Sequence, residues 1–202
     1  MTKTLTISAT ILAATLALAG CSAGTGTAGS SMPGMDHGSP NMPATAAPLD
    51  TVTPNAADIM FVHGMIPHHT QAVEMSDIIL QKPDIDPQVT ALATKIKADQ
   101  APEISTMTGW LKSWNEPEQM AAGDSMSGMM DGEDTAKLQA AQGADAARLF
   151  LTQMIAHHQG AVMMARTEEA DGQNTDALAL GKEIIAAQQA EIEEMQILLG
   201  SL

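Results

Sequence analysis

The chain has a single cysteine, no tyrosine, and only two phenylalanines and two tryptophans in 202 residues. One cysteine excludes an internal disulfide. The shortage of rings means that a core must be filled by Leu, Ile, Val, Ala and Met. Basic residues are also few: nine Lys and Arg stand against 24 Asp and Glu, a formal net charge of −15. That balance argues against nucleic acid as a partner. It suits the attraction of cations, as any acidic solvated surface would. No stretch alternates apolar and polar residues with period two, so no sheet is expected. There is no Gly-rich phosphate loop and no nucleophile set beside a base. After the first twenty residues no long apolar run occurs, so nothing there should span a membrane.

Lys3 supplies a positive n-region, and Leu5 to Leu18 is apolar but short for a membrane span. The run ends in Leu18-Ala19-Gly20-Cys21, which resembles the bacterial lipobox. Residues 1–20 therefore read as a lipoprotein signal peptide, with Cys21 carrying the lipid. The expected location is extracytoplasmic, lipid-anchored to a bacterial membrane. Acylation of Cys21 would leave no thiolate as nucleophile or metal ligand. Residues 21–54, rich in Gly, Ser, Thr, Ala and Pro, read as a flexible tether. Met32, Met35 and His37 crowd together within it.

The domain is expected over 55–202. Asn55 is a candidate N-cap for a helix over 56–81. Asp86-Pro87 marks a new start, with a second helix over 87–114 that Pro102 should kink or split. Residues 115–143 form a linker containing Met120, Met126, Met129 and Met130, with a short helical piece near 133–142. A long helix over 144–170 should end at Gly172. Asn174 or Thr175 should cap the last one, which should stop at Gly200.

The domain repeats itself. Phe61, Met65, Ile66, His68, His69, Ala72, Val73 and Met75 recur 89 positions later as Phe150, Met154, Ile155, His157, His158, Ala161, Val162 and Met164. Leu92, Ile96, Gln100, Glu103, Ile104, Met107 and Leu111 recur 88 positions later as Leu180, Ile184, Gln188, Glu191, Ile192, Met195 and Leu199. Two αα-hairpins of one design, 55–114 and 144–200, imply an all-α four-helix bundle with approximate twofold symmetry.

Steps of four, three, four and three place Phe61, Met65, His68, Ala72 and Met75 on one helical stripe, and their counterparts on another. The adjoining row is apolar apart from His69 or His158. Each histidine pair thus lies in a wide apolar face, where polar groups need partners. A hydrogen-bonded network with Gln100, Glu103, Gln188 and Glu191 would meet that need; so would a metal ion. The duplicated pairs, with Met65, Met75, Met154 and Met164 on the same stripes, favour the ion. Imidazole suits zinc, copper, iron and nickel, while thioether selects Cu(I). The Glu-x-x-His of di-iron bundles is absent, since Met65 and Met154 precede His68 and His157 by three. Glu103 and Glu191 could still contribute carboxylates. The clusters Met32, Met35, His37 and Met126, Met129, Met130 resemble the Met-rich segments of periplasmic copper-handling proteins, though a low-complexity linker would read alike.

The two copies of Met-Ile-x-His-His-x-x-Ala-x-x-Met, at 65–75 and 154–164, resemble the mark of a bacterial secreted family catalogued as a domain of unknown function. The likeness covers about residues 55–200. It implies a ferritin-like four-helix bundle outside the cytoplasm, and some members are similar to copper-binding, copper-tolerance proteins. The expected function is a copper-binding lipoprotein, not an enzyme, that sequesters or shuttles Cu(I) or Cu(II) through His and Met. Binding should weaken as histidine protonates below about pH 6. The alternatives are a ferritin-like carboxylate–histidine metalloenzyme acting on oxygen or peroxide, and a structural lipoprotein without metal. Expected partners are metal ions and, through Cys21, a membrane; self-association of copies stays open.

Overall fold

A computed structural model describes residues 53–118 and 127–202. The expected signal peptide, the expected tether up to residue 52 with Cys21, Met32, Met35 and His37, and Met120 and Met126 lie outside the described residues. Asn55 caps α1 (Ala56–Leu80) by accepting from the Ala57 and Asp58 main chain, and Asp58 returns a bond to the Asn55 N–H. Asp86 caps α2 (Pro87–Trp114), with Pro87 in the first turn. The short α3 (Gly132–Ala140) follows, then α4 (Gly143–Asp171) and α5 (Thr175–Ser201), the last capped by Asn174. Gly172 ends α4 as expected, whereas α5 runs on through Gly200 to its last turn. α2 is not split at Pro102. The ring deprives the Ala98 carbonyl of its donor, but both residues lie on the exposed side, where water can replace it. Among the described residues there is no strand, and no helix is long and apolar enough to cross a membrane.

The protein is an all-α bundle of two hairpins, α1 with α2 and α4 with α5, joined mainly by α1 against α4. Two apolar clusters fill it. One gathers Met75, Ile79, Leu92, Ile96, Leu138, Phe150, Leu151 and Met195. The other gathers Phe61, Val62, Met65, Met107, Leu111, Ala165, Leu180 and Ile184. The C-terminal half of α1 shares its cluster with the N-terminal half of α4, so these two helices are antiparallel. α2 ends at one cluster and α4 begins at the other, so the connection between them travels the length of the bundle. Such a single long crossover is known in ferritin-like bundles.

Asp58 ties the halves together. It is fully buried and accepts from the main-chain N–H of Asn55, Gln173 and Asn174 at 2.6, 3.0 and 2.9 Å. Burial alone would raise its carboxyl; these donors outweigh it and hold the group below its ordinary value. Glu168 stands beside it, 1% exposed, with no donor for either of its oxygens. Burial, then the Asp58 carboxylate, push Glu168 up to about 8, so at neutral pH it keeps its proton and can donate it to Asp58. The folded state thus holds a proton that the unfolded chain, with an ordinary value of 4.5, gives up. This contribution to stability should be complete below about pH 4.5, decline as pH rises, and be gone once pH passes about 8. Urea titrations across that range should show the decline in the natural protein and its absence in Glu168→Gln; parallel curves would refute the shared proton.

Candidate metal centre

Between the two apolar clusters lies a layer of imidazoles. His68 and His157 occupy equivalent repeat positions on antiparallel helices, so the approximate twofold turns them toward each other. Their ring centroids are 3.7 Å apart and their planes are inclined by 38°. Both are fully buried, and among the described residues neither ring has a side-chain hydrogen-bond partner, though main chain stands close, Ser127 to His68 and His68 itself to His157. An unmet polar group in a core costs about 1–3 kcal/mol, and a neutral imidazole carries both a donor and an acceptor. Burial, then the neighbouring His69 and His158, drive His68 down to about 3, against a smaller opposing pull from the Ser127 main chain. Burial and His68 likewise hold His157 well below its ordinary value. Both rings are therefore neutral, with free lone pairs, through the physiological range.

The outer histidines are placed differently. His69 Nε2 lies 2.7 Å from Glu103 Oε2 on α2, and His158 Nε2 lies 2.7 Å from Glu191 Oε2 on α5. The carboxylates thus engage the second histidine of each pair and leave the first bare. Nδ1 of both outer rings is buried and unpartnered. Burial lowers His158, and Glu191 opposes it. The halves diverge here: Lys95 bonds Glu191 at 2.6 Å and Asp99 at 2.8 Å, while the second half has Glu183 where the repeat would put a lysine. Burial would raise Glu191, but His158 and Lys95 outweigh it.

Met65 and Met154 are fully buried one helical turn before the inner histidines, on opposite sides of the layer. Three residues of helix span about 4.5 Å, so both flank the rings. Met75 lies two turns away inside one apolar cluster, and Met164 packs half-buried against the other. Met129 and Met130 are half-buried where the crossover passes this layer. Gln100 and Gln188, each 3% exposed, leave side-chain atoms unpartnered as well. Among the described residues no three His, Cys, Asp or Glu side chains gather to hold an ion. A site here must therefore draw on two imidazoles and the thioethers.

Sequence reasoning passed over Asp58 with Glu168, whose pairing joins distant turns, and His63. The His63 ring is 7% exposed with Nδ1 unpartnered, and the second half has Thr152 in its place, so no repeat flagged it. The expectation that protonation of the paired histidines sets in near pH 6 is corrected for His68, which burial takes to about 3.

The family model for a domain of unknown function, DUF305, matches residues 58–199. The chain belongs to the DUF305 family. A DUF305 protein of Streptomyces coelicolor, taken to be secreted, is 33% identical, with a TM-score of 0.68 over 72% of this chain and 93% of its own. A DUF305 fragment from Deinococcus radiodurans is 30% identical, with a TM-score of 0.68 over 73% and 98%. CopM, solved in Cu(I)-, Cu(II)- and Ag-bound forms, is 34% identical in its Cu(I) form, with a TM-score of 0.63 over 71% of this chain and 96% of its own. No match was found among the curated proteins.

The bare histidine pair makes a stability prediction for this DUF305 domain. Replacing both His68 and His157 by Leu should raise the melting temperature of metal-free protein, since unmet polar atoms disappear at similar volume. It should also remove the loss of stability that sets in as pH falls below about 6.5, where the unfolded chain protonates these rings and the fold does not, a window that for His68 reaches about 3. A lower melting temperature with an unchanged acid limb would refute the claim that the rings are unpartnered.

Proposed function

We propose that this chain is an extracytoplasmic, lipid-anchored protein that binds copper, holding Cu(I) at the His68–His157 pair and passing it on. The observation that carries this reading is the contact of two fully buried, neutral imidazoles whose ring nitrogens have no side-chain partner among the described residues. A soft monovalent ion is content with two or three imidazole and thioether donors, and Met65 and Met154 flank the rings. Glu103 and Glu191 hold the outer rings, His69 and His158, in place beside that pair. Similarity to CopM, solved with Cu(I), Cu(II) and Ag bound, supports the choice of metal. The likeness to a secreted relative, with the lipobox at Cys21, supports the location. A carboxylate–histidine enzyme centre lacks such support, because each glutamate is turned to an outer histidine and away from the inner pair.

Competition with a chromogenic Cu(I) chelator should reveal binding by the natural protein. His68→Ala with His157→Ala should abolish it, whereas Glu103→Gln with Glu191→Gln, which touch the outer rings and not the inner pair, should change it far less. Equal affinity in natural protein and the histidine double variant would refute the site. Anchoring is checked by fractionation: Cys21→Ser should move the protein from the membrane to the soluble exported fraction, and an unchanged distribution would refute lipidation.

A further inference from the structure

Gln71 and Gly160 stand at the same repeat position, 89 apart, each one helical turn beyond its inner histidine. They carry different residues, and both hold the crossover. Gln71 Nε2 donates to the Met130 carbonyl at 2.8 Å, and Gln71 Oε1 accepts from the Met130 N–H at 2.7 Å. On the other helix the crossover touches the backbone itself. A Cβ at Gly160 would collide with the Ser127 carbonyl oxygen and stand 2.9 Å from Gly128 Cα, and one at Gly128 would stand 2.7 Å from the Ala156 carbonyl oxygen. Gly128 has φ +85°, open to glycine and strained for other residues.

These anchors lie on opposite sides of the histidine layer. α1 and α4 are antiparallel, so one turn beyond His157 leads toward one apolar cluster and one turn beyond His68 toward the other. Ser127–Met130 therefore crosses the level of the inner rings obliquely, with Met129 between the two anchors. We infer that this strap is the gate through which an ion reaches and leaves the His68–His157 pair, and that Gln71 is its latch. The inference rests on the copper reading of that pair. Both rings are fully buried, so some part of the protein must move for an ion to enter. Packed clusters close the layer above and below, and the Glu103–His69 and Glu191–His158 contacts flank it. Parting the helices would open the core, whereas lifting the strap breaks two hydrogen bonds and a backbone contact. The strap also carries thioethers at Met129 and Met130, soft donors on the piece that moves. Gln71 acts as a positioning residue: it touches the strap, not the ion.

The test uses the full chain. Loaded with Cu(I) and mixed with bathocuproine disulfonate, Gln71→Ala should surrender copper about tenfold faster than the natural protein, the scale of one or two hydrogen bonds lost, and Gly160→Ala, whose methyl would push the strap backbone away, should also surrender it faster. Their equilibrium affinity should shift much less. Gln71→Glu, which keeps the acceptor for the Met130 N–H, should fall between. In metal-free protein, diethyl pyrocarbonate should modify His68 and His157 faster in both variants, as read by peptide mass. Unchanged transfer and modification rates in both would overturn the gate. If the natural protein takes up no copper, the copper reading fails separately, and the modification rates still decide whether the strap controls access.

Discussion

The structure is organised around two imidazoles pressed together in the core with no side-chain partner among the described residues. A four-helix bundle of this size has no need for such a feature. Met, Leu and Ile on the same stripes already fill the clusters on either side. Buried polar rings without side-chain partners are the kind of local departure from core packing that folds tolerate where a position has work besides holding the chain together. Much else follows from accommodating that layer. Two apolar clusters form where one continuous core would otherwise run, glutamates on α2 and α5 reach inward, and the crossover passes over the waist.

The approximate twofold supplies the site and its exceptions supply the differences between its sides. Symmetry brings equivalent histidines face to face, which a single hairpin cannot do. It also gives each outer histidine a glutamate from its own hairpin. The departures are local. Lys95 braces Glu191, and among the described residues no lysine or arginine braces Glu103. Gln71 grips the strap by hydrogen bonds, whereas Gly160 admits it by having no side chain. A duplicated sequence thereby yields one histidine layer whose two sides are held differently.

Burial sets the chemistry of this layer more strongly than charge does. The acidic composition would lead one to expect carboxylates as ligands, yet the inner rings face no carboxylate. Desolvation keeps His68 neutral down to about pH 3, far below the value of a histidine in water. The same force works in the opposite sense at Glu168, where burial next to Asp58 retains a proton on a carboxylic acid.

What the sequence by itself determined was the repeat, the helical stripes and the caps, because these rest on local spacing and on side chains acting within a turn or two. The 3.6-residue period places His68 on the apolar face, and Asn55, Asp86 and Asn174 announce their helices wherever the chain goes. It could not say which histidine of each pair faces inward, since adjacent helical residues point about 100° apart and both rows were apolar. Nor could it foresee that Glu103 and Glu191 serve the outer rings, that Asp58 meets Glu168, or that Met130 lies against Gln71. Those facts depend on how two hairpins dock and which path the crossover takes. Only packing, acting between residues distant in the chain, decides them.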